Sequence, residues 1–256
     1  RDFTINALAI EVSQEYLQKI FSKKEIQSNY LMENQQFKLI DHHGGQDDIS
    51  KRIIRTVGKP DQRFTEDALR MLRALRLAVQ LNMDIDTETY FAIKFHKDSL
   101  SFVSFERIRD EFLKILSSEN PAKGIEMLHE TALLKQIIPE LYPGINMQQK
   151  GHHTTDVWTH SIDTLRHCPS KDPIVRLAAL LHDIGKPPSY KEENHEITFY
   201  NHDILGSRLA SKIASRLRLS KKEVQRVFIL VRYHMFHYQE HHSDASIRRF
   251  IRRVGF

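Results

Sequence analysis

Apolar positions are spaced differently in the first and the later parts of the chain. Residues 1–12 alternate apolar and β-prone side chains, and FKLID at 37–41 shows the same alternation before the turn residues HHGGQDD. Alternation of this kind predicts two strands. The polar stretch between them contains a short helical patch at 15–24, and IIRTVGKP closes this β-containing part at Pro60.

After Thr65 the apolar residues recur at helical spacing. Thr65 is predicted to cap the first helix, with Glu66 and Asp67 in its first turn. Proline and glycine at 139–152 predict a boundary between two helical regions. The same periodicity predicts further helices near 86–98, 104–117, 121–135, 156–167, 173–183, 203–217 and 220–236, and a last helix starting near 244.

Composition places the chain among ordinary globular proteins. It has 256 residues, 40% hydrophobic and 28% charged, and no apolar run approaches the length of a membrane span. The single cysteine, Cys168, excludes an internal disulfide framework and, with no visible signal peptide, indicates a reducing, cytoplasmic location. Because the sequence opens at Arg1 and stops at RRFIRRVGF, we expect that it begins inside a domain and ends inside a helix.

The formal net charge is +5, and its placement matters more than its size. Two arginine clusters stand out, and clusters of this kind suit phosphate or nucleic acid. A solvated helix face would give the same pattern, so charge alone leaves both interpretations open. The clusters comprise Arg63, Arg70, Arg73 and Arg76, and Arg248, Arg249, Arg252 and Arg253.

Asp67 and Arg70 are predicted to share one helix face, because they are three residues apart. A carboxylate only accepts hydrogen bonds and a guanidinium only donates them. Together they match the amino group and ring nitrogen of cytosine or adenine, whereas uracil and guanine present the opposite pattern. Such a pair would accept CTP and ATP and reject UTP and GTP. An ordinary surface ion pair is the alternative.

Most of the 15 histidines fall within residues 152–242. Several lie in or at the start of separate predicted helices, and His182 and Asp183 are adjacent just before Gly185. Imidazole and carboxylate groups from several helices can converge on one metal ion, so the sequence predicts a metal site assembled by the fold. For any single histidine, packing or surface exposure is the alternative.

Four motifs in order resemble the class II tRNA nucleotidyltransferase and bacterial poly(A) polymerase family. They are RDFTINAL at 1–8, DHHGGQDD at 41–48, RFTEDALRMLRALRLAVQL at 63–81 and SFERIRDEFLKIL at 104–116. The resemblance implies that Asp67 and Arg70 read the incoming base. It also implies that the Gly-rich phosphate loop and the carboxylates that hold Mg²⁺ lie upstream of Arg1, so that this fragment lacks the catalytic carboxylates for nucleotidyl transfer.

The resemblance assigns roles to the remaining motif residues. Arg1 and Asp2 would recognise the ribose 2′-hydroxyl, and Glu66 would orient the base-reading pair. Arg73 and Arg76 would contact nucleotide. The hinge loop between head and neck would comprise Asp41, Gly45 and Asp48, and the neck would be braced by Glu106, Arg107 and Arg109.

The later half resembles the HD phosphohydrolase superfamily, through RLAALLHDIGKPPSY and the histidines around it. The implied metal ligands are His160, His182 and Asp183, with Asp244 as the last and less closely matched ligand. His202 and His234 would support a second metal or bind phosphate, and Lys186 would stabilise phosphate charge. The implied chemistry is attack of a metal-activated water on a phosphoester, with a divalent transition metal or Mg²⁺.

Together the two resemblances imply a mainly α fold. Residues 1–60 would be the C-terminal remnant of an α/β nucleotidyltransferase head, 61–148 a helical neck for base recognition and RNA binding, and 149–256 a helical HD domain. The implied function of the full-length protein is template-independent addition of CMP and AMP to the 3′ end of tRNA, from CTP and ATP, with no membrane partner. Poly(A) polymerase, a metal-dependent HD phosphohydrolase and a non-catalytic RNA-binding module are the alternatives.

Overall fold

The structure, a computed structural model, describes residues 2–6, 9–11, 38–148, 155–193, 196–236 and 243–254. It is 69% helical, with 13 α-helices in these ranges, so the prediction of a mainly α fold is confirmed. Arg1 and the helical patch predicted at 15–24 lie outside the described residues. Within the described ranges, no helix is both long and apolar enough to cross a membrane.

The first part of the chain contains short strands and one helix. Strand β1 (Ala9–Glu11) pairs antiparallel with β2 (Lys38–Ile40), with Ala9 opposite Ile40. Helix α1 (Gly45–Lys51) follows, and β3 (Ile53–Ile54) then pairs in parallel with β4 (Asp84–Ile85). A 3₁₀ turn at Thr4–Asn6 and a bridge from Phe3 to Thr56 attach the start of the chain to this region.

The prediction that one helix starts at Thr65 is wrong, because one helix ends at Glu66 and the next begins at Leu69. Helix α2 (Pro60–Glu66) begins at a proline whose fixed φ suits the first helical position. Asp67 is extended, at φ −154° and ψ 102°, and its carboxylate accepts a hydrogen bond from the Leu69 N–H (3.1 Å) at the start of α3 (Leu69–Leu81). A side chain that bonds the nearby backbone competes with helix continuation, so the chain breaks at Asp67.

The neck helices follow the predicted periodicity, with one further break. Asn120 caps its helix by accepting from the Lys123 N–H, and Ala132, at φ 61°, divides the helix predicted over 121–135 into two. The neck elements are α4 (Thr87–His96), a 3₁₀ turn (Lys97–Phe102), α5 (Phe105–Leu116), α6 (Pro121–Glu130), α7 (Leu133–Ile137) and a 3₁₀ turn (Pro139–Gly144).

The remaining helices start at clear caps, and a hairpin lies among them. Asp156 and Asp172 accept backbone N–H bonds at their helix starts, and Ser220 with Glu223 forms a capping box. The elements are α8 (Val157–Arg166), α9 (Pro173–Leu181), α10 (Lys186–Ser189), β5 (Lys191–Glu193), β6 (Glu196–Thr198), α11 (His202–Arg216), α12 (Lys221–Arg232) and α13 (Asp244–Val254).

One apolar core runs from the strands through α3, α5 and α6 into α9, α11 and α12. Two arginines fix the later helices to the neck. Buried Arg176 donates from Nη1 to the carbonyls of Leu116 and Ser118, both at 2.6 Å, where the backbone carbonyls at the end of α5 need donors. Arg216 forms a bidentate pair with Glu140, at 2.6 and 2.7 Å. The two helical regions therefore form one continuous body.

Candidate functional sites

The first candidate site is an arginine network around Asp2. Asp2 Oδ1 accepts from Arg70 Nε at 3.0 Å, and Asp2 Oδ2 accepts from Arg73 Nη1 at 2.5 Å. Glu66 Oε2 accepts from Arg70 Nη1 (2.5 Å) and Arg63 Nη1 (2.7 Å). The structure thus brings together four of the residues that the resemblance assigned to nucleotide binding, and adds Arg63. We call Asp2, Arg63, Glu66, Arg70 and Arg73 the arginine network.

Arg76 lies one turn further along α3 and has different partners. Its Nε donates to Glu111 Oε2 at 2.5 Å and its Nη1 to Gln80 at 2.6 Å. Glu111 is a buried carboxylate on α5, and its other oxygen lies 3.9 Å from Arg73 Nε. Sequence reasoning missed Glu111, because nothing in its local pattern distinguishes it from the other charged residues of α5. Glu111 links Arg76 to the network only through Arg73.

Asp67 does not share a helix face with Arg70, so that prediction is wrong. Because Asp67 precedes α3, its carboxylate turns toward α5 and accepts from Arg107 Nη2 at 2.7 Å. Burial by itself raises the pKa of Asp67, but the hydrogen bonds from Arg107 and the Leu69 N–H outweigh it, and the pKa lies below its usual value. Asp67 is therefore an ionised group that only accepts hydrogen bonds.

Arg70 keeps one donor nitrogen for a ligand. Its Nε bonds Asp2, and its Nη1 bonds Glu66 and the Arg63 carbonyl (2.9 Å). Within the described residues its Nη2 makes no hydrogen bond. Only about 16% of the side chain is exposed, so its other contacts hold the guanidinium in one orientation.

Of the three residues predicted as a hinge loop, Asp41 lies in the segment before α1, and Gly45 and Asp48 lie in its first turn. Asp41 accepts backbone N–H bonds from Gly45 (2.8 Å) and Gln46 (2.9 Å), and these bonds lower its pKa. Asp48 is buried and accepts from Thr4 Oγ1 at 2.6 Å and from Arg55 Nη2 at 2.9 Å. These bonds tie α1 to the first residues of the chain.

Two of the three residues predicted to brace the neck contact the turn between α11 and α12. Arg109 Nη1 donates to the Arg218 carbonyl at 2.7 Å, and Glu106 lies 3.5 Å from Arg218 Nε. The third, Arg107, instead holds Asp67. Sequence reasoning placed Arg107 among the bracing residues and missed its contact with the candidate base-reading carboxylate.

The second candidate site is a cluster around Asp183 at the end of α9. Asp183 Oδ2 lies 3.0 Å from His182 Nε2 and 3.5 Å from His160 Nε2. Asp183 Oδ1 lies 3.6 Å from the Nε2 atoms of both His202 and His234. Four histidines from separate parts of the chain thus surround one carboxylate, and we call these five residues the His–Asp cluster.

Backbone carbonyls fix the orientation of three of these imidazoles. Each accepts from Nδ1 of the histidine three residues later: Ala179 for His182 (2.8 Å), Phe199 for His202 (2.9 Å) and Val231 for His234 (2.7 Å). A protonated Nδ1 leaves the Nε2 lone pair as a ligand atom. Hydrogen bonds from Nδ1 to a backbone carbonyl are expected around histidines that bind a metal through Nε2.

The donor set of the cluster fits a divalent cation. The Nε2 atoms of His202 and His234 lie 3.3 Å apart, and with both Nδ1 atoms protonated neither can donate to the other. Two triads of ligand atoms, His160–His182–Asp183 and Asp183–His202–His234, each lie within 4.8 Å. Burial lowers the pKa of His234, which keeps the ring neutral. Neutral imidazole with carboxylate is a donor set for zinc, manganese or iron.

A close backbone contact holds the cluster together. Gly185 follows the His182–Asp183 pair, and a Cβ on Gly185 would lie 2.0 Å from the His202 carbonyl oxygen and 2.5 Å from the Gly206 nitrogen. No side chain fits there. The two glycines therefore let the turn after α9 contact α11 directly, which brings Asp183 to His202.

Lys186 and an open cavity complete this site. Buried Lys186 donates from Nζ to Asp183 Oδ2 at 2.7 Å. Burial alone raises the pKa of Asp183, but the charge and the hydrogen bond of Lys186 act in the opposite direction, and the pKa lies below its usual value. The cluster opens into a cavity of about 460 Å³, rimmed by Phe199, exposed Tyr200 and Met235.

Asp244 does not join this cluster. It lies in the first turn of α13 with an exposed side chain, and the groups of metal-ligating residues found in the described ranges do not include it. The structure instead places His202 and His234 beside the other oxygen of Asp183. The looser spacing of Asp244 in the sequence was the signal against it.

Two family models match parts of the chain. "Probable RNA and SrmB- binding site of polymerase A" matches residues 82–144, and "HD domain" matches residues 151–251. The first covers α4 to the last neck turn, and the second covers the His–Asp cluster and most of α13.

The chain also matches curated proteins and a solved structure. It is 32% identical over 264 aligned positions to an A-adding tRNA nucleotidyltransferase of Deinococcus radiodurans, covering 99% of this chain and 55% of the relative. It is 31% identical over 221 positions to a CC-adding tRNA nucleotidyltransferase of Thermus thermophilus, covering 82% and 50%. The Bacillus stearothermophilus CCA-adding enzyme in complex with CTP matches with a TM-score of 0.62 at 26% identity, covering 99% and 51%. The chain thus spans about half the length of these relatives.

Proposed function

The chain is related along its length to the CCA-adding tRNA nucleotidyltransferases and contains an HD domain, and from this premise we propose that the full-length protein adds CMP and AMP to the 3′ end of tRNA. Its relatives include both an A-adding and a CC-adding enzyme, so likeness alone does not choose the nucleotide. The choice rests on the chemistry of the site.

The observation that carries this proposal is that a carboxylate acceptor, Asp67, and a guanidinium donor, Arg70, lie three residues apart at the start of α3. Asp67 is ionised and accepts only, whereas Arg70 Nη2 is a held donor with no partner in the described residues. Cytosine and adenine both present an amino group beside a ring-nitrogen acceptor, which satisfies both groups. Uracil and guanine present a carbonyl beside an N–H, so the partly buried Asp67 carboxylate would face another acceptor.

Neighbouring residues position this pair. Arg107 holds the Asp67 carboxylate, and Asp2 with Glu66 holds the Arg70 guanidinium. In this proposal Asp2 also accepts from the ribose 2′-hydroxyl, and Arg73 contacts the nucleotide phosphates. Arg76, engaged with buried Glu111, supports this end of α3. The transfer chemistry itself would be supplied by Mg²⁺ held on carboxylates that are not among the residues of this chain.

Incorporation into truncated tRNA tests the proposal. The full-length protein is incubated with tRNA lacking its 3′ end, and with CTP, ATP, or both. We expect CMP incorporation from CTP alone and further extension when ATP is added. Incorporation of AMP with no use of CTP would assign poly(A) synthesis or A addition instead. Incorporation of neither nucleotide would contradict nucleotidyl transfer.

A second function is supported by the His–Asp cluster. We propose that it binds a divalent metal and hydrolyses phosphoesters, since a metal bound there would supply an activated water. Lys186, held by Asp183 beside the cavity, would neutralise phosphate charge, and the cavity of about 460 Å³ admits a nucleotide-sized substrate.

The phosphohydrolase proposal is tested separately with 2′,3′-cyclic nucleotides and added Mn²⁺. We expect turnover by the 256-residue chain and its loss in His182→Ala, with Asp163→Asn, an exposed carboxylate of α8, as the matched control. Metal binding without turnover would assign the cluster a structural role. Unchanged turnover in His182→Ala would contradict the assignment of this ligand.

A further inference from the structure

Helix α13 carries four arginines on one face. At helical spacing, Arg248, Arg249, Arg252 and Arg253 occupy adjoining positions over two turns, about 5.4 Å apart along the axis from one turn to the next. All four side chains are exposed. We call this set the α13 arginine face.

Among the residues that the structure describes, these arginines have no partners, unlike those of the arginine network and those that join the helical regions. Those of the network bond carboxylates, and Arg176 and Arg216 bond carbonyls or Glu140. In the ranges that the structure describes, none of the four arginines on α13 forms a hydrogen bond or an ion pair. Four unneutralised guanidiniums on one short helix repel one another, so this arrangement is favourable when an anion lies against it.

The opposite side of α13 is docked on the segment that carries His234. Phe250 stacks on Phe236 with ring centroids 3.6 Å apart and an angle of 11°, and meets Tyr233 edge-on at 6.0 Å. Tyr233 and Phe236 flank His234, whose Nε2 belongs to the His–Asp cluster. The aromatic contact therefore attaches α13 to the segment that carries His234 and leaves the α13 arginine face on the other side of the helix.

We propose that the α13 arginine face binds the phosphate backbone of RNA and holds the strand beside the His–Asp cluster. Guanidinium groups bond phosphate oxygens in pairs, and successive phosphates of a strand meet successive turns of the helix. This inference rests on the proposed function only in taking RNA as the partner, and it adds a site outside the nucleotide-reading region.

An anionic membrane is the other partner that an arginine-rich amphipathic helix could attract. Membrane binding needs a free apolar face on the helix. Here Phe250 is stacked on Phe236, and Ile247 and Val254 are partly buried, which leaves Ile251 as the one large apolar side chain that is exposed on α13. The apolar side of α13 is packed against the protein and its charged side is exposed, so a polyanion is favoured over a membrane as the partner.

Binding of labelled tRNA as a function of salt tests the proposal. Fluorescence anisotropy of fluorescein-labelled tRNA lacking its 3′ end is measured with the 256-residue chain between about 50 and about 200 mM KCl. The variant combines Arg248→Gln, Arg249→Gln, Arg252→Gln and Arg253→Gln. The control removes the same charge from exposed lysines outside residues 82–144 that have no ion pair in the described ranges, through Lys59→Gln, Lys212→Gln, Lys221→Gln and Lys222→Gln.

We expect the arginine variant to bind at least about tenfold more weakly and its slope of log affinity against log salt to fall by about 3, because four phosphate contacts are lost. The lysine control should keep most of the affinity. Equal effects in both variants would mean that net charge alone matters and would overturn the proposal. Thermal melting shows whether each variant folds. If the quadruple arginine variant does not fold, the single Arg252→Gln variant is used instead, and its slope of log affinity against log salt should fall by about 1.

Two further outcomes separate this inference from its premises. If the unaltered chain does not bind tRNA, RNA as the partner is wrong and the proposed transfer function loses support. If tRNA binds and the arginine variant binds equally well, only the α13 assignment fails. Arginine-dependent binding to vesicles of phosphatidylserine and phosphatidylcholine, with none to tRNA, would assign the face to a membrane instead.

Discussion

Asp2 and Asp183 are both surrounded by basic side chains, but those side chains are of different kinds. Arg70 and Arg73 bond Asp2 with guanidiniums that are always charged. Asp183 faces four imidazoles, three of which have Nδ1 fixed on a backbone carbonyl. Permanent cations suit an anionic ligand such as a nucleotide, whereas oriented neutral imidazoles suit a metal ion.

The two sites also differ in how the backbone positions them. The arginine network lies where the chain breaks between two helices at Asp67, so its geometry depends on side-chain hydrogen bonds. The His–Asp cluster depends on a backbone contact between Gly185 and α11 that no side chain could enter. Side-chain hydrogen bonds hold the first arrangement, and a backbone contact holds the second.

Removal of the shared carboxylate has the largest expected effect. Asp183→Asn in the 256-residue chain should weaken Mn²⁺ binding at least about 100-fold, measured by titration calorimetry, because both triads lose a ligand. Asp163→Asn, which removes an exposed carboxylate of α8, should leave binding unchanged. Equal Mn²⁺ affinity in Asp183→Asn and the unaltered chain would contradict the assignment of the His–Asp cluster as the metal site.

Removal of the base-reading carboxylate should change nucleotide choice and not metal binding. In the full-length protein, Asp67→Ala should reduce discrimination between CTP and UTP by about 10- to 100-fold, the effect of losing one hydrogen bond to a charged group. The ratio of kcat/KM values for the two nucleotides measures it. Asp61→Ala, an exposed carboxylate of α2, is the matched control. Undiminished selectivity in Asp67→Ala would show that another group reads the base.

A methyl group at the backbone contact should distort the cluster. Gly185→Ala is expected to lower the free energy of unfolding by about 2–3 kcal/mol and to weaken Mn²⁺ binding, because the added Cβ would overlap the His202 carbonyl. Gly58→Ala is the comparison: Gly58 has φ +77° and open space around it, so only backbone strain of about 1 kcal/mol is added. If both variants bind Mn²⁺ like the unaltered chain, the contact is not needed to position the ligands.

Loss of the Arg216–Glu140 pair, which joins the neck to the later helices, should have a smaller and pH-dependent effect on the free energy of unfolding. Burial alone raises the pKa of Glu140, but the bidentate hydrogen bonds from Arg216 lower it below its usual 4.5. The stabilisation is therefore present above about pH 4.5 and is lost as pH falls through the lowered pKa. Glu140→Gln should cost about 1–2 kcal/mol at neutral pH in urea unfolding. The difference from the unaltered chain should shrink below about pH 4, and a constant difference would contradict the charge-based cause.

The sequence predicts most helices because their apolar periodicity is strong and their caps are local. Asp156, Asp172 and Ser220 each bond the backbone of their own helix. Apolar spacing did not reveal the break at Asp67, because the break depends on the hydrogen bond from the Leu69 N–H to the Asp67 carboxylate, and Arg107, which also holds that carboxylate, is 40 positions away. Local propensity therefore describes the elements better than their junctions.

In the candidate sites too, the sequence predicts local features better than contacts between distant residues. His182 and Asp183 are adjacent in the sequence, so their proximity was certain, and His160, His202 and His234 were named from their motifs. The sequence could not show that Asp244 is exposed away from them, nor that Glu111 and Arg107 contact the residues of α3 and its start. Such contacts depend on how the helices pack against one another, and the spacing of residues along a single sequence does not predict that packing.

The difference between the two sites is tested most directly by locating a metal. A crystal of the 256-residue chain soaked in Mn²⁺ would be measured by anomalous diffraction. We expect anomalous density within bonding distance of Asp183 and of the Nε2 atoms around it, and none at the arginine network. Density at Asp2 or Asp67, or none at Asp183, would contradict it.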